Sequence, residues 1–502
     1  MYVFSVSGNL RPSLHSRNVD CRKGQRASRN LRVISMRHVV GLNDYCLRQE
    51  NREIPVIYDP SQCINSHLAL MGMSGSGKTH QIKSLLNSGA SAGIELDIFD
   101  CHEELHDIRG AVCAKYSQAT GYGYNPLVLD LDPHSGGVNK QADFVVSLIR
   151  QVTTQFGSKQ EAALRNLIID CYASRGIFAN NIATWPRKQI TESQRRLLIK
   201  ESRWAELREY YPTLSDLLDY AERKVLGLVF GGDNKAMAAL EALTKANAKL
   251  QTLAMRSGRG GLMAEEKAKL EAQVEAQQRK CIEAFTEAVN AKPTREARDI
   301  LKYDSKDVLI GVVQRLQILA AAGIFNATAP PFGDAKVRVH QIKSLSDEQA
   351  NLFVKLRLRA LFDRAKQLGP TPTGTELRFV ALLDESPRYF SNEPDDIFNV
   401  ISREARKFGI GLWCAAQSPD FPEHFITNCG AKFILGIDAS YWKKTQQNMR
   451  ISEAGLKGIR FKEVLAVKLQ KEGQSDPMFT NVVVPNPHNA GGRRAINVAK
   501  AA

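Results

Sequence analysis

The sequence predicts an α/β fold with a mostly parallel central sheet and a large all-α insertion. Three observations favour it. A glycine-rich octapeptide at residues 72–79 lies between an apolar run and a helix-like segment. A second apolar run, Phe379–Leu383, ends in two acidic residues. Between these two motifs, residues 140–323 mostly follow the 3.6-residue period of helices, whereas buried parallel strands read as short apolar runs.

The octapeptide has the spacing of a nucleotide-binding P-loop, in which Gly72 is followed by Gly77, Lys78 and Thr79. The glycines let backbone amides point at phosphate, and the following helix adds its positive end. We expect Lys78 to reach the β- and γ-phosphates of ATP and the Thr79 hydroxyl to bind Mg²⁺. A glycine-rich turn without a ligand is the alternative. The predicted nucleotide-binding residues are Gly72, Ser74, Gly75, Ser76, Gly77, Lys78, Thr79 and His80.

The run Phe379–Leu383 has the length of a strand buried on both faces, and Asp384 and Glu385 follow it. Acids at the carboxyl end of such a strand face the P-loop across the sheet. We expect Asp384 to hold Mg²⁺ through its water shell and Glu385 to deprotonate the water that attacks the γ-phosphate. Two solvated acids at a strand end are the alternative. Together with the P-loop, the pair predicts a hydrolase.

A third strand is predicted at residues 410–416 and ends in Gln417, which could sense the γ-phosphate or merely begin a loop. Residues 397–408 before it have a helical pattern that carries Arg403 and Arg406 on one face. An arginine presented to the γ-phosphate of a neighbouring subunit would stabilise the transition state. From the sequence alone, a solvated basic face is the better-supported interpretation of these arginines.

The order of these motifs resembles the HerA/FtsK superfamily of hexameric, RecA-like motor ATPases, over roughly residues 61–130 and 337–480. That superfamily includes DNA translocases, conjugative coupling proteins and type IV secretion ATPases. The resemblance implies a RecA-like P-loop NTPase fold, a homohexamer, Arg403 or Arg406 as an intersubunit finger and Gln417 as a sensor. The matching motifs are the P-loop, Asp100-Cys101-His102-Glu103-Glu104, Asn125-Pro126-Leu127, Asp384-Glu385, residues 402–409 and residues 416–419.

The chain departs from that superfamily in two respects. It has no apolar run near the 18 or so residues that a membrane-spanning helix needs. The stretch before the P-loop is also short for the β-barrel that precedes the motor in HerA. These departures bear on the subfamily and leave the predicted motor unchanged.

At 502 residues, the chain is expected to form more than one domain. Its nine cysteines include no C-x-x-C pair and predict reduced thiols. We therefore expect a cytoplasmic protein, with peripheral attachment to the inner membrane through partners as the alternative. The predicted organisation is a basic N-terminal segment with short strands (1–60), a first motor part (61–135), an all-α insertion (136–335), a second motor part (336–485) and a disordered tail (486–502).

The formal net charge of +15 favours a polyanionic partner such as DNA. Eight arginines or lysines against one acid lie between residues 9 and 38. That segment is consistent with a flexible arm on DNA or a solvated tail, and less so with a targeting peptide.

Within the insertion, two segments rich in good helix formers flank a glycine-rich turn and predict an antiparallel hairpin over residues 234–290. Arg256 and Arg259 in that turn could touch phosphate or simply be solvated. The residues expected to face each other are Leu240, Leu243, Leu250 and Leu253 on one helix and Leu270, Val274, Ile282 and Phe285 on the other.

The motifs and the charge predict a Mg²⁺-dependent ATPase that acts on DNA. The resemblance implies a ring that moves DNA without sequence preference, in conjugative or mobile-element transfer. Two alternatives remain open, and the first of them shares every motif. One is a type IV secretion ATPase that energises protein or pilus export with the machinery proteins as partners. The other is a HerA-like subunit of a DNA-processing or anti-phage complex, in which ATP binding gates assembly.

Overall fold

An eleven-stranded mixed sheet organises the chain, with strand order β2-β1-β11-β10-β9-β3-β8-β7-β4-β6-β5. The computed structural model describes residues 36–152, 156–230, 246–252, 254–255, 264–290, 302–372, 374 and 376–485. All of them belong to one compact unit, Ser35–Ala502. The strands are β1 (His38–Asn43), β2 (Pro55–Tyr58), β3 (Leu68–Met71), β4 (Glu95–Asp100), β5 (Ala111–Lys115), β6 (Val337–Gln341), β7 (Phe379–Leu383), β8 (Ile410–Ala416), β9 (Ala431–Ile434), β10 (Val464–Leu469) and β11 (Thr480–Val483).

Seven neighbouring strands, from β9 to β5 in that order, are parallel. Strands β10, β11, β1 and β2 extend the sheet in antiparallel fashion. The predicted α/β fold with a mostly parallel sheet is therefore confirmed. Strand β8 lies between β3 and β7, so the carboxyl ends of all three strands meet at one edge of the sheet.

Helices cover both faces of the parallel strands, which explains the uninterrupted apolar sequences of β3, β7 and β8. Along β3, Leu68 and Leu70 pack in one core with residues of α2, whereas Ala69 and Met71 belong to the core on the opposite face. The helices are α1 (Asp44–Gln49), α2 (Lys78–Ser91), α3 (Val138–Val152), α4 (Ser158–Ser174), α5 (Glu192–Lys200), α6 (Trp204–Leu207), α7 (Leu214–Phe230), α8 (Ala264–Asn290), α9 (Lys306–Ala321), α10 (Asp347–Gln367), α11 (Ile397–Glu404), α12 (Glu423–Asn428), α13 (Trp442–Met449) and α14 (Glu453–Lys457).

Helices α3 to α9 lie between β5 and β6 in the chain, where the sequence predicts the insertion. Helices α4, α7 and α9 pack against one another. A buried ion cluster ties this region together, because Asp216 accepts hydrogen bonds or ion pairs from both Arg175 and Arg195. Of the helices in the described ranges, none is both long and apolar enough to cross a membrane.

The predicted hairpin is described only in part. The Gln277 side chain donates a hydrogen bond to the Ala246 carbonyl at 3.1 Å, which joins α8 to the helical residues 246–252. The inward stripe of α8 contains residues 270, 274, 277 and 281. Ile282 is 65% exposed, so its predicted inward position is wrong: it lies one residue beyond this stripe.

Other predicted features lie outside the described residues. They are the basic segment as far as residue 35, the hairpin residues Leu240, Leu243 and Leu253, the turn with Arg256 and Arg259, and the tail from residue 486.

The helix predicted over residues 397–408 is shorter than expected. The α-helix ends at Glu404, and Ala405–Phe408 form a 3-10 helix that tightens the last turn. Gly409 then adopts a left-handed conformation with φ 74°, and a side chain there would lie 2.6 Å from the Glu376 carbonyl oxygen. The chain must turn sharply at this glycine to enter β8. Arg403 and Arg406 therefore belong to different helical segments.

Candidate nucleotide-binding site

The P-loop joins β3 to α2 at the carboxyl edge of the parallel sheet. Backbone conformation and close contacts explain why glycine occupies several of its positions. Gly75 and Gly77 have φ values of 77° and 98°, which favour glycine. At Gly72, a Cβ atom would approach the Ser76 Oγ to 2.5 Å. Gly77 precedes the first residue of α2, so the amino end of that helix faces the loop. The arrangement is suited to binding an anion.

Two neighbouring strands anchor the loop through the backbone. The Gly72 amide donates to the Ala416 carbonyl at the end of β8 at 3.1 Å, and the Met73 amide donates to Gly436 after β9 at 2.8 Å. The start of the loop is therefore held by the strands on both sides of β3.

Two of the side chains predicted for catalysis, Lys78 and Gln417, converge on the carboxylate of a third, Glu385. The Lys78 Nζ donates to Glu385 Oε1 at 3.0 Å, and the Gln417 Nε2 donates to the same oxygen at 2.6 Å. Only 11% of the Lys78 side chain and 15% of the Glu385 side chain are exposed, so water screens this ion pair weakly. The structure thus brings together three predicted residues, although Lys78 and Glu385 are 307 positions apart in the chain.

Glu385 is held in an unusual backbone conformation and an ionised state. Its φ of 50° is left-handed, which is uncommon outside glycine and is often found at functional sites. Burial alone would raise the pKa of Glu385, but the hydrogen bond from Gln417 and the charge of Lys78 hold that pKa below its ordinary value. Glu385 is therefore a carboxylate near neutral pH.

Asp384 differs from its neighbour. Asp384 is 7% exposed. Burial and the charge of Glu385 raise the pKa of Asp384 to about 6, although the charge of Lys78 acts to lower it. The positive charge of Lys78 therefore compensates the buried carboxylate only in part. A cation bound at this position would supply the rest.

The loop after β4 closes the site from the other side. Asp100 is fully buried and accepts hydrogen bonds from the amides of His102, Glu103 and Leu105 at 2.8 to 3.0 Å. This loop presents Glu104, whose carboxylate accepts a hydrogen bond from the Thr79 hydroxyl at 3.1 Å.

His102 of the same loop approaches Glu385, with its Nε2 3.7 Å from Oε1. The prediction omitted His102 and Glu104 as site residues. The five-residue motif at 100–104 was the signal that could have identified them, since it marks the end of a strand next to β7.

The residues present fit Mg²⁺ at the P-loop. Its donors would be the hydroxyl of Thr79 and the carboxylate of Asp384, with Glu104 close to Thr79. Hard oxygen donors of this kind suit Mg²⁺. In the part of the chain that the structure describes, no three His, Cys, Asp or Glu side chains form a metal cage.

The structure does not bring the two predicted arginines to this site. The Arg403 guanidinium donates to the Pro394 carbonyl at 2.7 Å, and Arg406 pairs with Glu472 at 3.0 Å. Both lie just before β8, whose first residues neighbour the start of β7, at the sheet edge opposite the P-loop. Among the remaining predicted residues, Ser74, Gly75 and His80 are exposed and Ser76 is buried.

Comparison with known proteins agrees with the fold. The family model described as helicase HerA, central domain, matches residues 47–361, more than half of the chain. Among solved structures, VirB4 of Thermoanaerobacter pseudethanolicus is 14% identical with a TM-score of 0.52, and the match covers 90% of this chain and 97% of that chain.

Two further solved structures are similar at lower scores. The bacterial conjugative coupling protein TrwBdeltaN70 is 10% identical, with a TM-score of 0.39 and 85% of each chain covered. The genome packaging NTPase B204 from Sulfolobus turreted icosahedral virus 2, in complex with AMPPCP, is 13% identical with a TM-score of 0.23, covering 30% of this chain and 67% of that one. A comparison with curated proteins gives no match. The chain belongs to the helicase HerA central-domain family and is a P-loop motor ATPase of the HerA/FtsK type.

Proposed function

We propose that this chain is an ATP-hydrolysing ring motor that translocates DNA in conjugative or mobile-element transfer. The observation that carries the ATPase assignment is the convergence of Lys78 and Gln417 on one oxygen of Glu385 beside the P-loop. The family and the net charge of +15 support DNA as the substrate. Eight described cysteines are free thiols, which supports a cytoplasmic location, with attachment to the inner membrane through conjugation or secretion proteins.

In the proposed mechanism, the P-loop amides bind the phosphates and Lys78 exchanges Glu385 for the β- and γ-phosphates. That exchange frees Glu385 Oε1 to accept a proton from the attacking water. Gln417 remains on the Glu385 side and holds both the carboxylate and the water in line with the γ-phosphate. Thr79 and Asp384 would hold Mg²⁺, and the ion would supply positive charge next to the phosphates.

The proposed assembly is a homohexamer with ATP at each subunit interface. Arg403 or Arg406 of the neighbouring subunit then approaches the γ-phosphate and stabilises the transition-state charge. This part of the proposal is supported by the position of both arginines away from the P-loop of their own chain, at surfaces that another subunit can reach. Hydrolysis shifts the subunits, and basic loops facing the pore move the phosphate backbone with little sequence preference.

ATPase rates with and without added DNA, alongside a mass measurement of the oligomer, test this function. Duplex and single-stranded DNA are titrated separately at several salt concentrations. We expect DNA to raise the rate, the effect to fall steeply with salt because phosphate contacts release counterions, and the mass to equal that of six chains.

Two outcomes would contradict DNA translocation. A rapid ATPase that ignores DNA would favour the protein or pilus exporter. A very slow turnover, also insensitive to DNA, would favour a subunit in which ATP binding gates assembly.

A further inference from the structure

A cleft of about 350 Å³ lies between α10 of the motor and the start of the insertion. Its walls are the second half of α10, residues 124–130 after β5, and the first turns of α3. The P-loop and the cluster around Glu385 do not contribute to it. Its volume is at the low end of small-molecule sites. Part of the lining is apolar and consists of Val128, Leu129, Phe144 and Leu356.

Arg357 lines this cleft and makes no hydrogen bond to any residue in the described ranges. One face of its guanidinium is covered by the ring of Tyr124, whose centroid is 4.0 Å from the guanidinium carbon. Its ion-pair partner Asp97 is 3.6 Å away, beyond hydrogen-bond distance, and the Arg357 Nε is buried without a partner. Only 16% of the side chain is exposed. Because arginine stays charged and all of its guanidinium nitrogens carry donors, a ligand in the cleft would find unused donors there.

The carboxylates near Arg357 are already shared with other arginines. Arg338 donates to Asp97 at 2.9 Å and pairs with Glu95 at 3.1 Å. Arg364 donates to both oxygens of Glu95, at 2.7 and 2.9 Å. Three arginines therefore face two carboxylates in this cluster. The charge of Arg357 is the one in excess, so an anion in the cleft would be attracted to it.

The cleft is also lined by two acidic residues, which limit the charge that a ligand can carry. Asp130 is 5% exposed and Asp363 is 9% exposed. Burial raises the pKa of Asp363 and the charge of Asp130 adds to that effect, although Arg359 and Lys366 act to lower it. A phosphate monoester with two negative charges would be repelled by these carboxylates. A single carboxylate on an apolar body suits both the excess cation and the apolar lining.

We infer that this cleft binds a small organic monocarboxylate, with the carboxylate on the guanidinium of Arg357 and the apolar body against Val128, Leu129 and Leu356. Arginine and carboxylate can form two parallel charge-assisted hydrogen bonds. A ligand in the cleft would contact both α10 and α3, and would therefore join the motor to the insertion. This site is separate from the proposed nucleotide site and does not depend on the ATPase assignment.

The test uses titration calorimetry on the full native chain with three probes. N-acetyl-leucine carries one carboxylate, N-acetyl-leucinamide has the same body without the charge, and phenyl phosphate is a dianion at pH 8. We expect N-acetyl-leucine to bind with a Kd of about 1 mM or lower, as is reasonable for a ligand of its size. The amide and the phosphate should bind at least about tenfold more weakly, because the charge-assisted contact is lost or opposed.

Two variants test the assigned position of the ligand. Arg357→Lys keeps the charge but removes the planar pair of donors, and should weaken N-acetyl-leucine by about tenfold. Ala360→Trp fills the cleft from an exposed position on α10 and should also prevent binding. Arg364→Lys is the matched control. Arg364 lines the same cleft on the same helix, but its donors are already on Glu95, so N-acetyl-leucine should bind this variant as it binds the native chain.

Several results would overturn the inference. They are equal affinity of the native chain for the acid and the amide, tighter binding of phenyl phosphate, no binding of N-acetyl-leucine, or unchanged affinity in Arg357→Lys. Competition between ATP and N-acetyl-leucine would also overturn it, because the carboxylate would then occupy the P-loop. If Arg357→Lys does not fold, the probe series on the native chain and the Ala360→Trp variant still decide the question.

Discussion

Two buried aspartates on one sheet have opposite electrostatic surroundings. Asp97, in the middle of β4, is 2% exposed and accepts hydrogen bonds from Arg338 and His340, both at 2.9 Å. Burial would raise the pKa of Asp97, but the His340 hydrogen bond and the nearby charges of Arg357 and Arg338 hold that pKa well below its usual range. Asp384, at the end of β7, has its pKa raised to about 6.

This contrast shows that Asp97, and not Asp384, has a structural role. The charge of Asp97 is compensated by groups of the same chain, so its cluster needs nothing more to be stable. The charge of Asp384 is opposed by burial and by Glu385, with Lys78 already committed to Glu385. Buried charge that remains uncompensated in a protein is a mark of a binding or catalytic site.

Removing Lys78 should have the largest effect on this contrast. Lys78→Ala deletes the cation nearest to Glu385 and Asp384 and the predicted phosphate contact. We expect ATP hydrolysis to be abolished and ATP affinity to fall by about a hundredfold, as for loss of a charge-assisted contact. Nucleotide binding and phosphate release measure the two effects.

Lys83→Ala is the matched control for that variant. Lys83 is also on α2 and pairs with Asp107 at 2.8 Å, away from the predicted phosphate contact. Loss of ATP binding in this control as well would indicate damage to the helix and contradict the specific role of Lys78.

Asp97→Asn should lower the free energy of unfolding and leave the nucleotide-binding site unchanged. The substitution removes the charge of one of the two carboxylates that pair with the largely buried Arg338, which keeps Glu95, so we expect a loss of about 1–3 kcal/mol of unfolding free energy. ATP affinity of the folded protein should be unchanged. Denaturant unfolding and nucleotide titration measure these two quantities.

Asp107→Asn provides the comparison for Asp97→Asn. The Asp107 side chain is 55% exposed, so its ion pair with Lys83 should contribute about 1 kcal/mol or less. A specific loss of ATP affinity in Asp97→Asn would show that the two aspartates are not separate in function.

Gln417→Ala should have the smallest effect. The Gln417 amide positions Glu385 at 2.6 Å and transfers no proton itself. We expect kcat to fall by about tenfold to a hundredfold with little change in ATP affinity, since an orienting contact is lost. A larger rise in KM than fall in kcat would instead indicate that Gln417 binds the substrate.

Much of the fold and of the central cluster could be predicted from the sequence. Short apolar runs that end in Gly72, Asp384 and Gln417 are local signals, because parallel strands present their carboxyl ends at one edge. Because these strands end at the same edge of the sheet, the proximity of Lys78 and Glu385 could be predicted from these local signals alone.

What the sequence did not predict depends on distant packing. For example, the Lys462 amide, in the turn before β10, donates a hydrogen bond to the Ser76 carbonyl of the P-loop, which is far away in the chain. The chain leaves α11 through a 3-10 helix and turns at Gly409, which lies close to the distant Glu376 carbonyl, and Ile282 is exposed because of the exact phase of the α8 stripe. Helical periodicity fixes such phases only to within a residue or two.

The Glu385→Gln variant, assayed for ATP binding and for a single turnover in the same preparation, tests the central claim most directly. The account predicts a hydrolysis rate lower by about a hundredfold to ten-thousandfold, the range for loss of a general base. It also predicts ATP affinity equal to or above that of the native chain, because Lys78 no longer has a carboxylate partner. Hydrolysis at the native rate would contradict the assignment of Glu385 as the base.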